Sequence, residues 1–540
     1  MRMTIQEAEQ TWAGGLRLEG DVLVIGGGPA GTWAALTAAS HGARVVLADK
    51  GYCGTSGATA PSGTGVWYVE PDREAREEAR QSRFGLGGRL AEEDWMNRVL
   101  DRTYENMNRL SGFGYPFPKD EAGRPYRRGL QGPEYMRLMR RLVQKAGVTI
   151  LDHSPALELL GDAHGVGGAR GVRTQTGEAW EVRAGAVIIA TGGCAFLSKA
   201  LGTNVLTGDG YLLAAEAGAD LSGMEFSNAY GISPVFSSVT KTAYYRYATF
   251  YYEDGTEVEG AGSARGRSVI ARQLLAGRQV YARLDKAPED VKPLLRVGQT
   301  NFFLPFDRAG IDPFTDLFPV TLRLEGTVRG TGGIRIADES CRTAVPGLYA
   351  AGDAATRELI CGGFTGGGSH NAAWAMSSGS FAGEGAAAYA HSLGPLAGRR
   401  ELKGLSSTTV TAASAGDRSD RPKEHIRAVQ EEVMPYDRNL FRTEAGLRAS
   451  VGRLDGIWRD IRSGASSLGA HAVQAREAAA MTATARWMYR SGLARTETRG
   501  MHKREDYPEQ DSGQHYRLRS GGLDEVWVQP EPLRKEAAAQ

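Results

Sequence analysis

The sequence predicts an α/β protein followed by a helical C-terminal region, and three observations carry that expectation. Residues 21–50 alternate strand, glycine turn, helix and strand. Two further apolar strands run into glycine-containing turns at 184–193 and 345–355. After residue 440, apolar residues recur at helical spacing. At 540 residues the chain exceeds the roughly 250–300 at which a single core stops growing, so more than one domain is expected.

The first unit reads DVLVIGGGPAGTWAALTAASHGARVVLADK over residues 21–50. A buried strand, Val22–Ile25, enters Gly26-Gly27-Gly28-Pro29-Ala30-Gly31, then a helix of small residues, then a second strand, Arg44–Ala48, ending at Asp49. Gly26 permits the tight turn, Gly28 lets the backbone approach a pyrophosphate, and Gly31 allows close helix–strand packing, while the helix N-terminus favours negative charge. Asp49, 18 residues beyond Gly31, is placed to accept hydrogen bonds from ribose hydroxyls. A glycine-rich turn that holds nothing needs none of these parts in register, so a Rossmann-like dinucleotide-binding domain is the reading.

Composition narrows the partner. Lys+Arg 64 against Asp+Glu 63 leaves a net charge of +1 without long blocks of one sign, which gives no footprint for nucleic acid or an anionic membrane surface. Glycine, 72 of 540, clusters in loops, as tight turns around ligands require. No apolar run approaches the ~20 residues of a membrane span. The stretch MRMTIQEAEQTWAGG lacks a signal-peptide core, so a cytoplasmic location is expected. Cys53, Cys194, Cys341 and Cys361 lie far apart and form no Cys-x-x-Cys pair, so no metal or iron–sulfur site is expected within the chain.

The later strands bear on which nucleotide is bound. AGAVIIATGG (184–193) ends at Ala190-Thr191-Gly192-Gly193, and VPGLYAAGDAA (345–355) ends at Gly352-Asp353, an acid placed to bond the ribityl chain of a flavin. These stretches resemble the second and third fingerprints of FAD-binding proteins. With NVLTGDGYLLAAEAGADLSGMEF (204–226) and RTETRGMHKREDYPEQD (495–511), the chain resembles the flavoprotein family of succinate dehydrogenase, fumarate reductase and L-aspartate oxidase, and more distantly the adenylylsulfate reductase flavoprotein. The pattern Arg495-x-Glu497-x-Arg499-Gly500-x-His502 with Asp506 and Pro508 is the most telling part; as a bare charge run it would read as a solvated face.

The resemblance covers roughly residues 18–515 and implies a Rossmann-like FAD-binding domain in two pieces (18–225 and 328–403). Between them lies an inserted α+β capping domain (226–327), and a helical C-terminal domain and tail (424–540) follow. The Ser/Thr/Ala-rich stretch 404–423 reads as a linker, and Leu447, Val451, Leu454, Trp458 and Ile461 as one buried face of a helical bundle.

In the respiratory members a histidine shortly after the second strand bonds covalently to the flavin. Here Ser56 stands at or near that position, with no histidine between His41 and His153, so FAD is expected to be non-covalent, Cys53 being the rival attachment point. Ser56, Gly57, Ala58 and Thr59 are expected to wrap the flavin, and the resemblance assigns Lys50, Gly63 and Asp209 to the cofactor as well. In GGFTGGGSHNAAWAMSSG (362–379) the family's matching helix N-terminus meets the pyrimidine end of the isoalloxazine, which brings in Ser369 and Asn371. His370 is either a flavin or substrate neighbour or a cap donating to backbone.

The substrate side departs from the family. The arginine that clamps a substrate carboxylate falls on Thr365 or Gly366; one substrate histidine falls on Val328, with Arg329 beside it; another falls on Tyr230. The proton-delivery side keeps more: Thr242 follows Tyr230 at the family's interval, Arg246 is retained in TAYYR with Ala243 replacing an acid, and RSVIAR (267–272) places Arg267 at the active-site acid, whose rival reading is a surface arginine. Tyr244, Tyr245, Tyr247, Phe250, Tyr251 and Tyr252 crowd the same segment, either as strand core or lining a pocket for a flatter or less charged substrate.

These readings lead to an FAD-dependent oxidoreductase that exchanges a hydride between flavin N5 and a carbon of a small, acidic organic substrate, and that is not optimised for succinate or fumarate. Oxygen is the favoured acceptor. One alternative is a flavoprotein subunit serving an iron–sulfur electron-transfer partner; another is a flavin-binding protein that has lost catalysis. Neither nucleic acid nor membrane is expected as a partner.

Overall fold

The computed structural model describes residues 15–119, 123–240, 243–263, 266–365, 368–406, 410–411, 420–463, 466–467 and 470–533. Its central sheet is parallel throughout, in the order Leu348–Ala350, Ala186–Ile189, Val22–Ile25, Val45–Ala48, Thr149–Leu151. Every residue of the strands Val22–Ile25, Val45–Ala48 and Ala186–Ile189 is buried, as expected of a parallel sheet covered on both faces. Small residues let the helices Pro29–Ser40 and Gly368–Leu393 pack closely: a Cβ on Gly379 would come within 2.3 Å of the Ala30 carbonyl oxygen. A second sheet, Leu16–Glu19, Ala179–Arg183, Gly165–Val172, Ala156–Asp162 and Lys403–Gly404, belongs to the same body.

The segment between the two pieces of this body folds as α+β. Ala229–Pro234, Phe318–Gly326, Val280–Arg283 and Thr249–Tyr251 form a four-stranded antiparallel sheet, with the helices Arg267–Leu275, Lys292–Gly298 and Thr300–Ala309 around it. Phe302, Phe303, Phe306, Tyr245 and Phe250 fill its core, so Tyr245 and Phe250 of the aromatic segment are packing, whereas Tyr244, Tyr247, Tyr251 and Tyr252 are half-buried. Polar contacts between this cap and the body include Gln131 Nε2 donating to the Gly298 carbonyl at 2.7 Å, Asn301 donating to the Pro61 carbonyl and the Leu201 amide donating to the Ser238 carbonyl at 2.8 Å.

The C-terminal region carries the helices Arg421–Val433, Glu444–Ser463 and Ala470–Ala494, and Leu447, Val451, Leu454 and Trp458 are buried on one face as their spacing requires. Ile461 only packs against that core. Most of the stretch read as a linker lies outside the described residues, and Arg421 already opens a helix. The tail adds a β-hairpin. Tyr516–Gly521 and Trp527–Pro532 pair with each other, and Tyr516–Gly521 pairs with Leu221–Ser222, which in turn pairs with Gly333–Ile334. No described helix is long and apolar enough to cross a membrane.

Candidate active site

One cavity of about 750 Å³ runs from the carboxyl ends of the parallel strands to the underside of the cap. Its first stretch is the glycine turn. Gly26 takes φ +112°, and a Cβ there would lie 2.2 Å from the Ala190 carbonyl oxygen. A Cβ on Gly31 would lie 1.7 Å from the Gly26 carbonyl oxygen, so the helix packs onto the turn only with glycine there. A Cβ on Gly28 would meet nothing within 4 Å: Gly28 faces the cavity, at the N-cap of a helix with Pro29 in its first turn and no acidic side chain to occupy the free amides. Such an open helix N-terminus can receive a pyrophosphate. Pro29 and Ala30 line it too.

Asp49 ends the second strand, buried, with Oδ2 accepting from the Gly27 amide and Oδ1 from the Gly51 amide at 2.8 Å and the Ser56 hydroxyl at 2.7 Å. These donors fix the carboxylate at the cavity edge. Lys50 donates to Asp209 and Thr207 at 2.8 Å and pairs with Glu477 at 2.7 Å, making it a tether between the nucleotide edge and the C-terminal helix Ala470–Ala494. Burial works against its charge, but Asp209 and Glu477 outweigh that and raise its pKa. Gly57, Ala58, Thr59, Gly63, Ala190, Thr191 and Gly192 line the cavity; Gly193 lies behind it, against Thr327.

On the flavin side, Gly352 takes φ +65° and donates its amide to Ser378 Oγ at 2.9 Å. Asp353 lines the cavity and is held by Arg357, a fully enclosed guanidinium that also donates to the Thr327 carbonyl at 3.0 Å. Asn371, in the first turn of Gly368–Leu393, donates Nδ2 to the Val328 carbonyl at 2.9 Å and leaves a buried Oδ1 without a protein partner in the cavity wall. An orphaned acceptor at a helix N-terminus, a glycine cradle and an acid at a strand end fit FAD laid along the cavity. Ser369 and His370 are not among the lining residues: the His370 ring is buried against Trp67 at a centroid distance of 4.7 Å, and the Ser369 carbonyl accepts from the Trp67 amide. That placement sets His370 behind the cavity wall, packed on Trp67, and not in the lining.

At the cap end, Arg267 opens a helix and lines the cavity, donating Nη1 to the Tyr230 carbonyl at 3.1 Å. Burial, and then the neighbouring Arg329, pull its pKa down to about 10 against the pull of Glu325. Arg329 also lines the cavity and bonds Glu325 at 3.2 Å. Arg246 reaches the cavity too, but it is exposed and folded onto Tyr247, to which it donates at 2.7 Å. The cation bearing on Arg267 is therefore Arg329, where sequence reasoning looked to Arg246. Tyr230 turns its phenol away, to the Val433 and Met434 carbonyls at 3.0 Å, so it can act only through its backbone. Thr242 lies outside the described residues. Val328 lines the cavity, and Thr365 is buried with Oγ1 on the Arg329 carbonyl at 2.9 Å. Lining residues that sequence reasoning missed include Arg128, Gln131, Ser263 and Gln299, which carry no motif and come together only through the fold.

Of the C-terminal charge pattern, Arg495, Glu497, Arg499 and His502 are buried, while Asp506 and Pro508 are exposed. Arg495 donates to Glu225 and Glu497 at 2.8 Å, Arg499 to Glu497 and to the Gly88 carbonyl at 2.6 Å, and Arg442 to His502 Nδ1 at 2.8 Å. Arginine only donates, so His502 Nδ1 is an acceptor and Nε2 carries the proton toward the Arg495 carbonyl at 3.1 Å. Burial and Arg442 hold this imidazole neutral, well below its usual pKa. The network backs the glycine loop: the Met501 amide donates to the Gly363 carbonyl at 2.9 Å, and a Cβ on Gly500 would lie 2.3 Å from that oxygen.

Comparison with known proteins agrees with this geometry. Residues 21–230 match the FAD binding domain family and residues 427–528 the fumarate reductase flavoprotein C-terminal family. The chain is 27% identical to one of the subunits of the fumarate reductase (CoM/CoB) of Methanothermobacter marburgensis, covering 91% of this chain and 95% of that one. It is also 27% identical to L-aspartate oxidase of Streptomyces coelicolor, covering 92% and 90%. The fold superposes on the E. coli quinol fumarate reductase chain FrdA with a TM-score of 0.80 at 19% identity, over 97% of this chain and 98% of that one. Fold and site define an FAD-dependent oxidoreductase. The chain carries the FAD binding domain and the C-terminal domain of the fumarate reductase flavoproteins, and its relatives include fumarate reductase and L-aspartate oxidase flavoproteins.

Proposed function

We propose that this oxidoreductase acts on a small organic acid other than succinate or fumarate, and that its FAD is held non-covalently. Bound FAD supplies two-electron chemistry, exchanging a hydride with a substrate carbon at N5. The observation that carries the substrate reading is the cap end of the cavity, lined by Arg267, Arg329 and Val328: Val328 stands where the family has a substrate-binding histidine, and the family's arginine falls on buried Thr365 or on Gly366, which lies outside the described residues. Thr365 cannot make a bidentate bond to a carboxylate, and its hydroxyl is turned to backbone.

Arg267 carries the proton in this reading, taking it from the substrate when the flavin is reduced and giving it back in the reverse direction. Its pKa of about 10 leaves about one guanidinium in a thousand neutral at pH 7 and able to accept, a larger fraction than arginine has in water. The Tyr230 carbonyl orients it, and Arg329 disfavours its charge. Asp353, fixed by Arg357, and Asn371 would hold the cofactor's ribityl and ring ends. Non-covalent attachment is supported by the lining: no histidine or cysteine is among the described residues of the cavity wall.

Oxygen remains the favoured acceptor in this proposal. A second reading, an electron-transfer subunit, draws on relatives whose names call them subunits of a fumarate reductase. Anaerobic titration with candidate acids tests the proposal: bleaching of the flavin band identifies the reducing substrate, and admitting air then separates an oxidase from a partner-dependent dehydrogenase. Flavin that stays with the acid-precipitated protein would refute non-covalent attachment.

A further inference from the structure

The cap end of the cavity has an imbalance of charge. The described acids that line the cavity are engaged: Asp49 by backbone amides, Asp209 by Lys50, Asp353 by Arg357 and Glu134 by Arg137. Against Arg267 and Arg329 stands one described carboxylate, Glu325, fully buried behind the wall and shared with the Thr240 hydroxyl at 2.7 Å. Arg329 reaches it with a single nitrogen at 3.2 Å, and Arg267 spends Nη1 on a carbonyl. Two guanidiniums close enough to repel each other, with donors left over and one counter-charge, call for an anion between them. The backbone holds Arg329 there: Thr365 Oγ1 donates to its carbonyl, and Asn371 Nδ2 donates to the carbonyl of Val328 before it. Close by, the Tyr244 hydroxyl is used on the Leu295 carbonyl at 2.9 Å, and Tyr244 is part of the cavity wall.

We propose that Arg329 and Arg267 form an anion-binding subsite that takes a single carboxylate of the substrate, with Arg329 as the specificity-determining residue. It rests on the oxidoreductase reading above and names the substrate class as monocarboxylates with a flat or apolar remainder. A carboxylate there accepts from both guanidiniums and cancels the charge that Glu325 leaves over; of the other cations on the wall, Arg246 is folded back onto Tyr247, and Val328 and Tyr244 add apolar and aromatic lining for the rest of the molecule.

The test uses the FAD-loaded protein and follows the visible flavin band during titration with benzoate and, in parallel, with uncharged benzamide. Benzoate is expected to give a saturable shift and to bind at least about tenfold more tightly than benzamide. Arg329→Gln, and Arg329→Met as a second uncharged variant should the first not fold, are expected to weaken benzoate about tenfold or more while leaving benzamide unchanged. Parent-like benzoate affinity in either flavin-loaded variant, no preference for benzoate over benzamide, or no benzoate binding by the parent overturns the subsite. A chain that purifies without flavin refutes the oxidoreductase reading instead, so the two failures are distinguishable.

Discussion

Replacing Gly28 by alanine separates cofactor binding from folding. Gly28 sits at φ −75° and ψ −171°, extended backbone that any residue adopts, and its added Cβ meets no protein atom within 4 Å. The folded state therefore has no clash to relieve. The unfolded chain loses freedom, so apoprotein stability should hold or rise by up to about 0.4–1 kcal/mol. The methyl instead occupies the space where a phosphate approaches the helix amides. Losing one charge-assisted bond costs about 1.5–3 kcal/mol, which weakens FAD binding about tenfold to a hundredfold. Gly31→Ala is the contrast, because its Cβ lies 1.7 Å from the Gly26 carbonyl oxygen and backbone must move; stability and binding should fall together. Thermal melts of the apoproteins and fluorescence titrations with FAD measure both quantities. If Gly28→Ala binds FAD like the parent, or melts as low as Gly31→Ala, the cradle is misassigned.

Arg267→Ala or Arg267→Lys should leave FAD content and the visible spectrum unchanged while slowing flavin reduction by the true substrate at least about 10²-fold in stopped-flow traces; reduction at the parent rate would remove Arg267 from the proton route. Succinate and fumarate should turn over far below the ordinary enzymatic range of about 1–10³ per second, and a steady-state rate inside that range would sink the substrate reading. Glu358 is buried and faces Glu225, and these two causes, burial first, raise its pKa to about 8. The folded protein thus binds a proton the unfolded chain has released, so this group's contribution to stability is present below the unfolded value of 4.5 and is lost as pH rises toward 8. Denaturant midpoints of Glu358→Gln should lack that decline; a parent-like slope between pH 5 and 8 would refute the assignment.

What the sequence made legible was whatever its chemistry keeps local. The turn from Gly26 to Gly31 needs its strand and helix within a few residues, so its parts could be read before any fold was known. The same holds for the turns at Thr191 and Asp353. The cap end was read less well because its geometry is assembled from afar. Arg246 and Arg267 looked like partners in one segment, yet the neighbour of Arg267 is Arg329, on the far side of the cap sheet strand Phe318–Gly326. Tyr230 occupied a substrate position by counting, but its strand turns the phenol to Val433 and Met434. Charge in 495–506 would look solvated by composition alone because its counter-charge Glu225 lies 270 residues earlier.

The tail hairpin and the buried arginines behind Gly363 have a consequence for how the protein is made. Gly500 and Met501 back Gly363, and the strand Leu221–Ser222 is flanked by Tyr516–Gly521, so segments more than a hundred residues later in the chain brace the loop that leads into Gly368–Leu393. On the ribosome the parallel strands can pair as they emerge, whereas this brace waits for residues 500–521 to follow. A product cut short before residue 495 would lack it and leave Gly363 without its partner amide from Met501.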